Sequence, residues 1–264
     1  LGGSSVNISP DGALNGSNTV SKNSVVVGYQ NNTTGGPSDE SGKIIYGANN
    51  TATRESSLAV GNQNTASNKS ASAIGVGNTA SGEASVAMGN SSTASGDRSI
   101  AIGSGAQATA NNAVALGRVS KATGTSAVAL GVNNQAQAQD SSAVGSSNTI
   151  AAAATQASAF GRENTVNYGA SIAAGYKNTA NGDRNVAIGN ENTTAGEDSI
   201  GIGSKTIAGT GKTIAIGNTM VNNDYPTGRA TIARGNVSVN AATGQVNNIF
   251  ALAIGSGAQA DGKA

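Results

Sequence analysis

A glycine returns every 14 residues through most of this chain, each time closing a short aliphatic segment. Gly61, Gly75, Gly89, Gly103, Gly117, Gly131 and Gly145 are separated by six steps of 14. After one step of 16 the series resumes at Gly161, Gly175, Gly189, Gly203 and Gly217, and the same segment precedes Gly28, Gly47 and Gly255. So short a fixed period reads as a solenoid, one small unit repeated and stacked. The strict register of Val, Ile and Leu ahead of each glycine excludes disorder, which low hydrophobicity alone would permit.

The unit from Ser85 to Arg98 shows the logic. In Ser85-Val86-Ala87-Met88-Gly89, Val86 and Met88 share one face of a strand, and Ser85 and Ala87 the other. A polar corner follows, then a second short strand, Ser92-Thr93-Ala94-Ser95, and another corner at Gly96-Asp97-Arg98. Two short strands and two turns consume the period, so no helix fits. Stacked about 4.8 Å apart, the 15 strand-closing glycines predict a rod of roughly 70 Å. Glycine suits one corner. Asn at the third place after it (Asn64, Asn78, Asn134, Asn148, Asn164, Asn178, Asn192) reads as a left-handed corner residue that also stacks into a ladder.

So thin a roll has room inside only for small residues such as Ala87 and Ala94. Large side chains then point outward as an aliphatic stripe, far larger than the patch a monomer normally exposes. The residues assigned to a contact between copies are Val86, Met88, Ile100, Ile102, Val114, Leu116, Val128, Leu130, Val186, Ile188, Ile200 and Ile202. A closed cyclic assembly buries such stripes around an axis. The second strand turns a polar position outward, at Thr65, Thr79, Thr93, Gln107, Gln135, Thr149, Thr165 and Thr179. These are the candidate ligand-binding residues.

Within 264 residues there are 38 Gly, 5 Tyr and 2 Phe, with no Trp, Cys or His. The 15 basic and 14 acidic side chains are scattered, which gives no footprint for nucleic acid or an anionic membrane surface. No apolar run approaches the length of a membrane helix. The start at Leu1, without Met, reads as a piece cut from a longer protein.

At these motifs the chain resembles the YadA-like heads of trimeric autotransporter adhesins. Their repeat, Ser/Asn-Val-Ala-Ile-Gly followed by Asn-Thr-Ala-x-Gly, stands here as Asn185-Val186-Ala187-Ile188-Gly189 and as Asn78-Thr79-Ala80-Ser81-Gly82. The resemblance covers about residues 20 to 217 and returns at Phe250 to Gly262. It implies an all-β fold: a left-handed parallel β-roll, assembled as a homotrimer with the aliphatic strands on the three-fold axis. It also implies surface localisation through a C-terminal outer-membrane anchor outside this fragment, and so a membrane link through that anchor alone.

Departures from the repeat divide the chain into a roll over 1–217, a hairpin-like insert over 218–249 and a resumed repeat over 250–264. The 19-residue step from Gly28 to Gly47 reads as a surface loop near Gly35-Gly36-Pro37, and Ala151 to Thr155 carries the two extra residues before Gly161. By resemblance the insert leans on a neighbouring subunit, through Asp224, Tyr225, Arg229 and Arg234.

No chemistry stands out. Without His there is no His-based triad or metal site. The short glycine runs lack the Lys-Ser/Thr ending of a phosphate loop. No catalytic, cofactor or metal site is expected. Glu83, Asp97-Arg98, Asp140, Asp183-Arg184 and Glu197-Asp198 recur at one corner and read as solvated or inter-subunit ion pairs, each worth under about 1 kcal/mol. The leading function is therefore a non-enzymatic adhesin head for host matrix proteins or cell-surface receptors. A spacer holding a different tip away from the cell is the alternative. An ice-binding surface ranks lower because Thr79 and Thr93 give way to Gln107, Lys121 and Gln135, and a glycan-cleaving β-helix lower still because such coils build no cleft.

Overall fold

The computed structural model describes residues 5–9, 18–34, 41–209, 212–218, 221–222 and 231–233, and contains no helix among them. It divides into two compact units, Leu1–Asn133 and Asn134–Ala264.

In the first unit the long strands run from Val6–Ile8 and Val25–Tyr29 through Val86–Asn90 to Val128–Val132, each parallel to the one a coil earlier. Register follows the sequence period, with Val86 opposite Ile100, Ala87 opposite Ala101 and Met88 opposite Ile102. Two-residue strands from Thr51–Ala52 to Lys121–Ala122 build a second parallel sheet. The interior between them is nearly all alanine. Ala59, Ala73 and Ala87 from the long strands face Ala66, Ala80 and Ala94 from the short ones, all fully buried.

The second unit repeats the plan, from Ser142–Ser146 to Thr213–Asn218 on one side and Gln135–Ala136 to Ile207–Ala208 on the other. Inside the expected insert, Val221–Asn222 and Thr231–Ala233 add further parallel strands to these two sheets. The remaining residues of 219–249, those of 250–264 and the Gly35-Gly36-Pro37 loop lie outside the described residues.

The expectation of small interior residues only needs correction at several places, among them fully buried Lys43, whose Nζ donates to Ser21 Oγ at 3.3 Å. Val26, Ile45, Ile150 and Val166 are also fully buried. They flank the two coils lengthened by insertion, the 19-residue and 16-residue steps. The opposite adjustment occurs at Gly201, where a Cβ would come within 3.0 Å of both Thr194 Cγ2 and Thr206 Oγ1. Here a larger residue on the short strand displaces even alanine from the long one.

A second correction concerns the corners. The Asn positions are not left-handed. That conformation belongs to the residue just before each (Gln63, Asn133, Ser147, Glu163, Lys177, Glu191), with φ between 55° and 57° for most of them and 51° at Lys177. It recurs at the other corner, at Ser70, Ala84, Arg98, Asp140, Arg184 and Asp198. The strand-closing glycine is needed for a different reason. At Gly89 φ is 129° and an added Cβ would stand 2.6 Å from the Gly103 carbonyl oxygen of the next coil, so no other residue fits.

Candidate functional site: the outer faces of the roll

The Asn residues fix the outer faces by stacking inside the corner. Asn64 is fully buried. Its Nδ2 donates to Asn50 Oδ1 (3.1 Å), to its own coil's Val60 carbonyl (3.0 Å) and to the Gly75 carbonyl of the next coil (2.7 Å). Its Oδ1 accepts both the backbone N–H (3.1 Å) and Nδ2 (2.9 Å) of Asn78. Every hydrogen-bonding site of the amide is occupied, which is the condition for burying one cheaply. In the first unit this chain of amides passes through Asn18, which donates to Asn7 Oδ1 at 3.0 Å, and through Asn31 and Asn50, earlier than the sequence reading placed it. In the second it runs from Asn134 to Asn192 and ends on Thr206, whose hydroxyl donates to Asn192 Oδ1 at 2.6 Å.

With its corners clamped, each coil presents the same positions to the same sides. On the short strands of the first unit, Thr65, Thr79, Thr93 and Gln107 stand opposite one another in register and half-exposed. In the second unit Gln135, Thr149, Thr165 and Thr179 form a like row. The inward neighbours, Ala66 to Ala108 in one unit and Ala136, Ile150, Val166 and Ala180 in the other, are buried beneath them. The candidate ligand-binding residues are thus brought together as two polar ranks.

The long strands carry the other face. In the first unit Met88, Ile102 and Leu130 are 37%, 36% and 42% exposed, while Val86, Ile100, Val114, Leu116 and Val128 are half-buried beside them. In the second, Ile188 is 39% exposed and lies between half-buried Val186, Ile200 and Ile202. Phe160 and Ile172, 44% and 40% exposed, belong to the same face. Sequence reasoning passed over them because their coils carry Ser142, Ser158 and Ala174 where the others carry Val or Ile.

The charged corner forms pairs between successive coils of one chain. Arg184 donates to Asp198, which also meets Lys212 at 3.4 Å. The neighbouring stack alternates as Glu163, Lys177, Glu191 and Lys205, with Lys177–Glu163 at 3.7 Å and Lys205–Glu191 at 3.8 Å. Arg184 holds the Asp198 carboxyl below the usual carboxylate range, and Asp198 in turn raises Arg184. Lys177 is raised chiefly by Tyr176, whose ring lies 5.1 Å from Lys177 Nζ and 5.3 Å from the Arg162 guanidinium carbon. Nothing in the sequence marked this aromatic, because it is the lone Tyr in its column of the second unit. In the first unit the corner holds such a pair, Lys69–Glu55 at 3.1 Å, and also uses backbone and amide partners, such as the Glu83 backbone N–H donating to Asp97 Oδ1 at 2.9 Å.

The family model of the YadA head domain repeat matches residues 66–92, 94–120, 122–148 and 170–192. The stretch it skips, 149–169, holds the lengthened coil with Ile150, Val166 and Phe160. A search of curated proteins gave no match.

Proposed function

We propose that this chain, a YadA-like head with family repeats at residues 66–92, 94–120, 122–148 and 170–192, attaches a bacterial cell to host matrix proteins or cell-surface receptors, without catalysis. The observation that carries this reading is the row of half-exposed Thr and Gln side chains, repeated coil after coil over a fully buried row that is alanine except at Ile150 and Val166. Each position offers one or two hydrogen bonds, individually weak. Repetition along one chain and across copies raises apparent affinity by avidity.

The proposal includes a homotrimer of left-handed rolls with the Met88–Ile102–Leu130 face turned to a shared axis. That face is a contiguous apolar surface of the kind that soluble monomers do not leave in water. It also includes display at the cell surface through an outer-membrane anchor, a role in virulence, and no need of nucleic acid or a cofactor. The test is solid-phase binding of the assembled chain to collagen, fibronectin, laminin and host cells. Saturable binding that falls steeply as whole coils are deleted, and only slightly on changing Thr79 and Thr93, is expected. Binding to none of these surfaces would reduce the chain to a spacer.

A further inference from the structure

The aliphatic face poses a problem that its own regularity creates. From Val86 to Leu130 and again from Val186 to Ile202 each coil presents nearly the same pair of side chains, and the strands lie about 4.8 Å apart. Two copies meeting through such faces could slide by one coil, 14 residues, and forfeit only the contact of the last coil. Repetitive interfaces need a feature that breaks the degeneracy, as a single unlike residue does in a coiled coil.

One place in the second unit has that character. On Ser158–Arg162 the outward pair is Ser158 and Phe160, and on Ile172–Tyr176 it is Ile172 and Ala174. Register sets Ser158 opposite Ile172 and Phe160 opposite Ala174, with Ser142 one coil before Ser158. A large ring therefore rises beside small residues on its own strand and on the next one, and it is left 44% exposed. The later coils return to the uniform pattern with Val186 and Ile188, then Ile200 and Ile202.

We infer that Phe160, with the notch left by Ser142, Ser158 and Ala174, is a register key that locks copies of this chain level with one another. The inference rests on the proposed assembly of like copies. When copies are level, each ring meets the small Ser158 and Ala174 of its neighbours. Sliding one coil brings it against Ile172 in one direction; in the other it stands beside Ser142 but meets a second ring, Phe160, where Ala174 had been. The occupant of the notch is a second copy of the same chain, because only an identical copy carries ring and notch at matching heights.

The chain has no cysteine, so introduced thiols are the only ones present. Chains carrying Ile188→Cys and chains carrying Ile202→Cys are co-refolded and oxidised. Level copies hold positions 188 and 202 one strand spacing apart, about 4.8 Å, beyond the Cβ separation of about 3.5–4.5 Å that a disulfide accepts. Cross-links 188–188 and 202–202 are expected, with 188–202 at least tenfold rarer. A chain with the key moved one coil on (Ser142→Val, Phe160→Val, Ile172→Ser, Ala174→Phe, Ile188→Ala) and Ile202→Cys should instead link to position 188 of the chain that carries only Ile188→Cys. Where that chain does not fold, the milder pair Phe160→Val and Ala174→Val removes the key, and all three links should form in comparable yield. Monomeric parent chains without cross-links would overturn the assembly itself. Assembled chains whose link pattern ignores both the moved and the removed key would overturn this inference alone.

Discussion

Within the first unit, coils that carry the buried amide differ from those that do not. Asn64 and Asn78 each clamp the glycine carbonyl of the next coil, and the strands that follow, Ser72–Val76 and Val86–Asn90, are five residues long. At the same place Ser92 turns its hydroxyl back to Asn78, and Ala106 has none to offer. The strands after them, Ile100–Ile102 and Val114–Leu116, shorten to three residues. Ser120 donates again, to Gly131 at 2.8 Å, and Val128–Val132 recovers its length. The Ser99 hydroxyl, buried without a partner, lies in the same weak stretch. The amide therefore holds the end of the long strand against its neighbour, and alanine packing alone holds only the middle. In the second unit Thr213–Asn218 keeps its length after Thr206, so backbone pairing there suffices without the clamp.

The largest effect should come from the glycine that both kinds of coil share. Gly89→Ala sets a Cβ 2.6 Å from the Gly103 carbonyl oxygen at a φ of 129°. Such strain against backbone belongs with the exceptional substitutions that cost more than about 4 kcal/mol. Gly105→Ala, in an unclamped coil, meets only Val119 Cγ2 at 3.8 Å, at a φ of 67° that alanine tolerates at moderate cost. Thermal unfolding of the two variants should differ widely. Equal losses would mean that close approach between coils is not what glycine provides.

Next comes the clamp itself. Asn64→Ala removes the donor to Gly75 and leaves Asn50 Oδ1 with fewer partners in a buried site. Each buried group left unsatisfied costs about 1–3 kcal/mol. Hydrogen exchange should then quicken at the following strand end, to match the profile expected of the shortened Ile100–Ile102 strand. A loss of stability without local exchange near Gly75 would show that the amide serves packing only.

The converse substitution tests the same contrast with a gain. Ser92→Asn extends the amide chain by one step toward Gly103, in a corner whose backbone already accepts Asn in the coils before it. One added hydrogen bond is worth about 0.5–1.5 kcal/mol. Slower exchange at Gly103 and Gly105 is the expected signature, and an unchanged or lowered melting point would argue that this corner is narrower than its neighbours.

These contrasts also mark how far the residues could be read unaided. The alternation of Val86, Ala87 and Met88 was enough to assign inside and outside, since a period of two leaves no third choice. The identity of the short strand and its polar rank followed from the same rule. Asn64 was legible as a ladder member but misread as a left-handed residue, because preference for that conformation and preference for a buried amide stack select the same side chain. Ile150 and Val166 could not be foreseen, because the width of a coil depends on how its extra residues fold. The pairing of Arg184 with Asp198 inside one chain was equally hidden. A corner that repeats every 14 residues places partners one coil apart, yet which of two outward rotamers meets depends on the turn.

The smallest predicted effect separates the two kinds of corner by acid. In the second unit Arg184 and Lys212 hold the Asp198 carboxyl below its ordinary range, whereas the first unit's Asp97 accepts the Glu83 backbone N–H and Arg98 donates to Asn112 Oδ1 at 2.9 Å. A carboxyl whose folded pKa lies below its unfolded one binds fewer protons when folded. Its contribution is complete above the unfolded value, about 3.9, and is lost as pH falls through the lower folded value. Because the Arg184–Asp198 pair is solvent-exposed, the loss is small and salt weakens it. Melting of the parent chain should fall slightly more than that of Asp198→Asn between about pH 5 and pH 2, and the gap should close at about 1 M salt. Replacing Arg98, whose partner is uncharged, should leave the acid slope unchanged. If the Arg98 replacement flattens the slope as much as Asp198→Asn does, the charged stack contributes nothing that a neutral corner lacks.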